Sequence, residues 1–242
     1  MERARLNDGS RRRRLAICAG LVGALAIWTT HFVAMQGYAA GVAVTYDVLL
    51  TLVSVLIILA MASLAIFAAL IGESRPWRVL GALIAVSGVG AMHYVGMAAL
   101  QLPAHIHWRG DLVAFSLVAA LATGAATAFF YRRGGPLRLL TATVGAALSI
   151  LILHYVGMAA LIITPDVSLE ARPGLSPEAM RNVVYFISMG IGATGAALAF
   201  TAYLSRASAL NRIREAIDAM PDGMGFYDAD DRLVLWNARY AE

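Results

Sequence analysis

HFVAM at 31–35, HYVGM at 93–97 and HYVGM again at 154–158 are near-copies of one pentapeptide, with histidines 62 and 61 residues apart. A period of that length marks a repeated supersecondary unit. Around the motifs lie apolar stretches at 15–35, 48–71, 79–102, 112–131, 137–163 and 183–204. Each is long enough to cross about 30 Å of hydrocarbon as a helix of near 20 residues. Every period therefore holds one motif-bearing helix and one return helix. The expected fold is an all-α membrane protein, a polytopic bundle of six transmembrane helices built from three helical-hairpin repeats.

Composition agrees. Of 242 residues 60% are hydrophobic and 14% charged, and the mean hydropathy is +0.71; soluble domains carry about 45–50% apolar and about 25% charged residues. The single cysteine, Cys18, cannot pair within the chain. All 19 cationic side chains are arginine. With the N-terminus inside, fourteen of them (3, 5, 11–14, 75, 78, 132, 133, 138, 206, 212, 214) fall on the cytoplasmic side and three (109, 172, 181) outside. That asymmetry orients a membrane protein and accounts for the basic runs without nucleic acid. It makes 72–78 and 132–136 inside turns and 36–47, 103–111 and 164–182 outside loops. Ser176-Pro177-Glu178 reads as a helix start with proline in its first turn. The expected organisation is a basic cytoplasmic N-terminus at 1–14, the membrane domain at 15–204 and a cytoplasmic α/β stub at 205–242, with both termini inside.

Each motif histidine stands about 14–17 residues into an outward-running helix, so all three reach one depth in the outer part of the membrane. Histidine and methionine four residues apart share a helical face. The candidate metal ligands are thus His31, Met35, His93, Met97, His154 and Met158. Imidazole and thioether together suit copper better than a hard cation, and neutral ligands are easier to bury than charged ones. Gly96, Gly157 and neighbouring alanines allow the close helix approach that a shared ion requires. For one motif alone, a histidine bonding across a helix interface and a methionine filling core would suffice; three copies at one depth favour a shared ligand or redox site. Phe32, Tyr94 and Tyr155 read as interfacial aromatics. His105 and His107 read as part of an interfacial loop anchored by Trp108, or else as a pair that passes metal inward. Ser87 and Ser149 read as bonding back to their own helix carbonyls.

These motifs resemble the MHYT domain, a bacterial integral-membrane sensor domain, over about residues 11–204. The resemblance implies an inner-membrane input module that binds copper through the motif residues near the outer face. Through it the module would sense oxygen, carbon monoxide, nitric oxide or redox state. Three departures stand out: methionine precedes histidine only at Met92, with Thr30 and Leu153 elsewhere; valine occupies 33, 95 and 156 where the family has threonine; and six spans are legible where the family has seven, as though a first helix were missing.

After Leu204 the composition turns polar. Residues 206–219 read as a helix, and GFYDADDRLVLWN (225–237) as strand, turn and strand. The segment resembles the opening of a PAS domain cut off after its first hairpin, and by the same resemblance a longer parent would continue into cyclic-di-GMP cyclase and phosphodiesterase domains. No nucleophile–base pair or phosphate loop marks this chain as an enzyme. The leading expectation is a sensor with the bilayer, a diatomic gas and the parent's output domains as partners, and a homo-oligomer is left open. The alternatives are a bis-histidine haem or redox protein, and a metal transporter.

Overall fold

A computed structural model describes residues 2–37, 43–72, 74–131, 135–166, 168–169 and 173–240. The expectations for Arg132, Arg133 and Arg172, and for the side chains of Arg3, Arg5, Arg11, Arg12 and Arg14, lie outside what it describes. Among the described residues, six helices are long and apolar enough to span a membrane: α1 (Glu2–Gln36, apolar from Ala16), α2 (Val48–Ile71), α3 (Arg75–Ala98), α4 (Gly110–Phe130), α5 (Pro136–Ala159) and α6 (Pro177–Asp218). The chain is a six-helix polytopic membrane protein with a few short strands. It divides into two compact units, residues 1–191 and 192–242.

Local chemistry sets the helix ends. Asp47 caps α2, its Oδ1 accepting from the amide of Leu50 at 2.8 Å. Pro76 and Pro136 stand in the first turns of α3 and α5, where the missing N–H costs nothing. Gly135, with φ of 77°, makes the left-handed turn into α5. Ser176 caps α6 by accepting from the amide of Ala179 at 3.2 Å, as its Ser-Pro-Glu sequence predicts.

In the first unit α1 to α5 pack in chain order, α2 beside α1 and α3 and α4 beside α3 and α5, and α3 also touches α1 and α5. The polarity is that of a protein whose solvent is lipid. Ser54, Ser116 and Ser149 are buried, while Leu56, Phe115 and Leu148 are exposed. Ser54 donates to the carbonyl of Thr51 and accepts from Trp28 Nε1 at 2.9 Å. Ser116, at the same place one repeat later, donates to the carbonyl of Val113 and so accepts from the Tyr94 hydroxyl at 2.6 Å. Ser149 corrects the expectation that it bonds to its own helix: it reaches across to the Ala120 carbonyl of α4 at 2.7 Å.

Two spans end earlier than hydropathy indicates. Residues 100–102 and 161–163, read as helical, belong instead to short strands or their edges. β1 (Thr45–Tyr46) pairs with β2 (Leu100–Gln101), and β3 (Ala104–Trp108) with β4 (Leu161–Pro165), both antiparallel. Tyr46 opposes Leu100 just as Trp108 opposes Leu161. The amide of Asp47 donates to the Ala99 carbonyl at 2.7 Å, and that of Arg109 to the Ala160 carbonyl at 2.9 Å. Each return helix is thus tied by main chain to the end of the next motif helix. Apolarity misplaced these boundaries because a buried strand pair and a helix end look alike on that measure.

In the second unit, β5 (Gly225–Tyr227) pairs with β6 (Leu233–Trp236), the strand–turn–strand expected there. Asp228 Oδ1 accepts from the amides of Asp230 and Arg232 to form the turn. Asn237, fully buried, accepts from the amides of Met224 and Tyr240 and donates to the carbonyls of Ile217 and Asp222. These bonds tie the hairpin to the end of α6.

The Tyr94–Ser116 bond is predicted to couple two spans. In a double-mutant cycle with Tyr94→Phe and Ser116→Ala, unfolding in mixed micelles should give a coupling energy of about 0.6 kcal/mol, with an upper bound of about 1.7. A coupling of zero would mean the two helices are held by apolar packing alone.

Candidate metal centre

His31, His93 and His154 each stand five residues from the strand-bearing ends of α1, α3 and α5, roughly 8 Å inside the bundle's end. The structure brings them together. One nitrogen from each lies within 4.8 Å of the other two, and the ring centroids are 5.0, 5.3 and 5.6 Å apart. The Nδ1 atoms of His31 and His93 face each other at 3.3 Å. His31 and His93 are buried, whereas His154 is partly exposed.

The motif glycines create this arrangement. A Cβ at Gly96 would stand 2.7 Å from His31 Nε2, and one at Gly157 would stand 2.6 Å from His93 Nε2. Each glycine receives the imidazole of the preceding repeat edge-on, a fit no larger residue permits. In the first motif the corresponding residue is Ala34, and no third wedge closes the ring. At that seam lies a cavity of about 330 Å³, lined by residues of α1, α3 and α5, the three histidines among them.

The donor set fits a transition metal. Two imidazole nitrogens bonded at about 2.0 Å to one tetrahedral ion stand about 3.3 Å apart, which is the His31–His93 spacing. All three nitrogens would need that spacing to share one such ion, so a pair as wide as 4.8 Å must close by about 1.5 Å. Among the described residues, Nε2 of His31 and of His93 is buried without a hydrogen-bond partner. A native protein retains such a cost chiefly where a site has a task.

The methionines are placed differently. Met35 and Met97 are buried in the core and Met158 packs against it, Met35 beside Tyr46 and Leu100 in a second cavity. None of the three lines the cavity at the histidines. Met92 does, although in the sequence it stands out only as a residue the other repeats lack. The paired serines were also missed, although Ser54 and Ser116 share the spacing of His31 and His93. His105 and His107 lie exposed on β3, away from the triad's cavity. His105 Nε2 meets Asp166 Oδ2 at 3.0 Å. The Asp166 carboxyl is held below its ordinary range mainly by the Ser168 hydroxyl and amide, with His105 adding to it. Trp108 meets Tyr94 edge-on at 5.6 Å.

Comparison with known proteins agrees with the repeat. Residues 25–82 and 87–143 match the model of the bacterial signalling protein N-terminal repeat, MHYT. The third motif lies beyond the matched residues, yet its histidine completes the cluster. An uncharacterized signalling protein of Caulobacter vibrioides is 32% identical over 213 residues, covering 86% of this chain and 26% of the relative. The bifunctional diguanylate cyclase/cyclic di-GMP phosphodiesterase MucR of Pseudomonas aeruginosa is 39% identical over 145 residues, covering 55% and 21%. The cyclic di-GMP phosphodiesterase NbdA of the same organism is 32% identical over 167 residues, covering 64% and 21%. The chain spans about a quarter of the length of these relatives. No solved structure matches it. With its repeats matched by sequence and assembled by glycine-seated histidines, the chain carries repeats of the MHYT signalling-protein family.

Proposed function

We propose that this chain is the input module of a bacterial inner-membrane signalling protein, in which His31, His93 and His154 hold a copper ion near the periplasmic face. The observation that carries this reading is the 3.3 Å approach of two buried Nδ1 atoms with a third imidazole beside them. Copper supplies an open coordination position for oxygen, carbon monoxide or nitric oxide, or a one-electron redox change. Imidazole and thioether donors without a carboxylate favour it over harder cations. Met35, Met97 and Met158 are the thioethers the repeat provides outside the cavity, and Met92 is the one that lines it.

The sensing step requires two helix packings of similar energy, with the ligand favouring one. α1, α3 and α5 supply one imidazole each, so a change in ligation alters how all three pack. In this reading both termini are cytoplasmic, and α6 carries the change to a PAS domain that begins with β5 and β6. The output is cyclic-di-GMP turnover in further domains of a parent protein, as the names of two relatives indicate; the module itself does no chemistry.

A bis-histidine haem is disfavoured. A porphyrin plane separates its axial ligands, and a third imidazole within 4.8 Å of both would lie in the space of the macrocycle. A transporter would need ligands at successive depths, and the three histidines occupy one.

Elemental analysis of detergent-purified protein tests the metal. Wild type should carry close to one equivalent of copper, with His93→Ala and His154→Ala losing most of it; equal copper in all three, or none in any, would sink the reading. An optical spectrum of the same samples should lack a Soret band.

The glycine seats give an independent prediction. Gly96→Ala and Gly157→Ala push an imidazole off its position without removing a donor, so copper affinity should fall by about tenfold or more. Ala98→Gly, outside the wedges, should leave it unchanged. Unaltered affinity in both glycine variants would show that the wedge does not set ligand geometry.

A further inference from the structure

The cavity at the triad has a direction. Val89 and Met92 of α3 form part of its wall, and Ala34, Thr30, Ala147 and Tyr155 line it on the α1 and α5 sides. Thr30, Ala147 and Tyr155 are exposed. All lie within membrane-spanning segments, so the mouth opens at bilayer depth. Toward the strand-bearing end the route is shut. Phe32, Met97 and Ala99 are buried there, and Tyr46 and Leu100 pair across the β1–β2 ladder above them.

We infer that ligands reach the histidines sideways from the hydrocarbon, through the α1–α5 seam, and that the sensed class is small uncharged molecules that dissolve in lipid. The inference deepens the reading of the triad as the sensing site and rests on it for its meaning. Physical chemistry favours the route. An apolar cavity open to lipid admits solutes already concentrated in the bilayer, and the cost of stripping water excludes ions and charged chelators. The seam exists because Ala34 stands where the other motifs have glycine, leaving His154 unwedged. A volume of about 330 Å³ is within the range of small-molecule sites; one water occupies about 30 Å³ in the liquid.

The test needs no copper. Diethyl pyrocarbonate is uncharged, partitions into membranes and carbethoxylates neutral imidazole, and mass spectrometry reads each histidine separately. Metal-free full-length chain in lipid vesicles should be modified at His154 and His31. Ala147→Phe and Thr30→Phe, which block the mouth at exposed positions, should slow that modification by about fivefold or more. His105 and His107, exposed on β3, report in the same sample that reagent and fold are unchanged. Leu100→Ala, which loosens the outer closure, should leave the triad's rate as it was.

No modification of the triad in wild type, or mouth variants without effect, would overturn the inference. So would acceleration by Leu100→Ala, which would place entry at the aqueous face. Copper content of the same variants, before the metal is removed for labelling, is measured separately. A chain that binds no copper yet shows the expected pattern would refute the metal reading and keep the route; normal copper with unaffected labelling would do the reverse.

Discussion

The seating of an imidazole edge on a glycine of the next motif helix is the constraint on which the membrane unit depends. Without a Cβ at 96 and 157, α3 and α5 approach until His31 and His93 contact the facing backbone, and the rings converge. In lipid there is no hydrophobic force between helices, so close backbone approach and interhelical hydrogen bonds must hold the bundle together. The buried serines on α2 and α4 supply those bonds, and the exposed leucines and phenylalanines face the solvent that suits them.

Much of this was legible in the residues. The period of 62 and 61 residues and the lengths of the apolar runs gave six spans and three hairpins, and the common depth of His31, His93 and His154 brought them to one centre. Depth follows from counting residues, which the sequence records without ambiguity. What escaped was lateral detail. The inward ends of β2 and β4 looked helical because they are equally apolar, and Ser149 looked self-bonded because its partner, the Ala120 carbonyl, has no side-chain signature. Met92 stands out only as unrepeated, although a site at an asymmetric seam has no need of a repeated residue.

Threefold repetition also explains where the site is not symmetric. Two wedges are complete and the third is interrupted by a methyl group at Ala34, so two imidazoles are fixed and buried while the third stays partly exposed. A rigid pair beside an adaptable member is an arrangement in which occupancy and helix position can influence each other.

The ties between each return helix and the following motif helix are made by peptide groups, Asp47 to Ala99 and Arg109 to Ala160. Peptide groups are the same whatever residue bears them. Mutations in these outer segments can therefore accumulate while the scaffold keeps its shape, and likeness of letters fades there sooner than likeness of form. The third motif helix, α5, illustrates the outcome: its His154 joins the other two histidines in space, although the family pattern matches the chain only through residue 143.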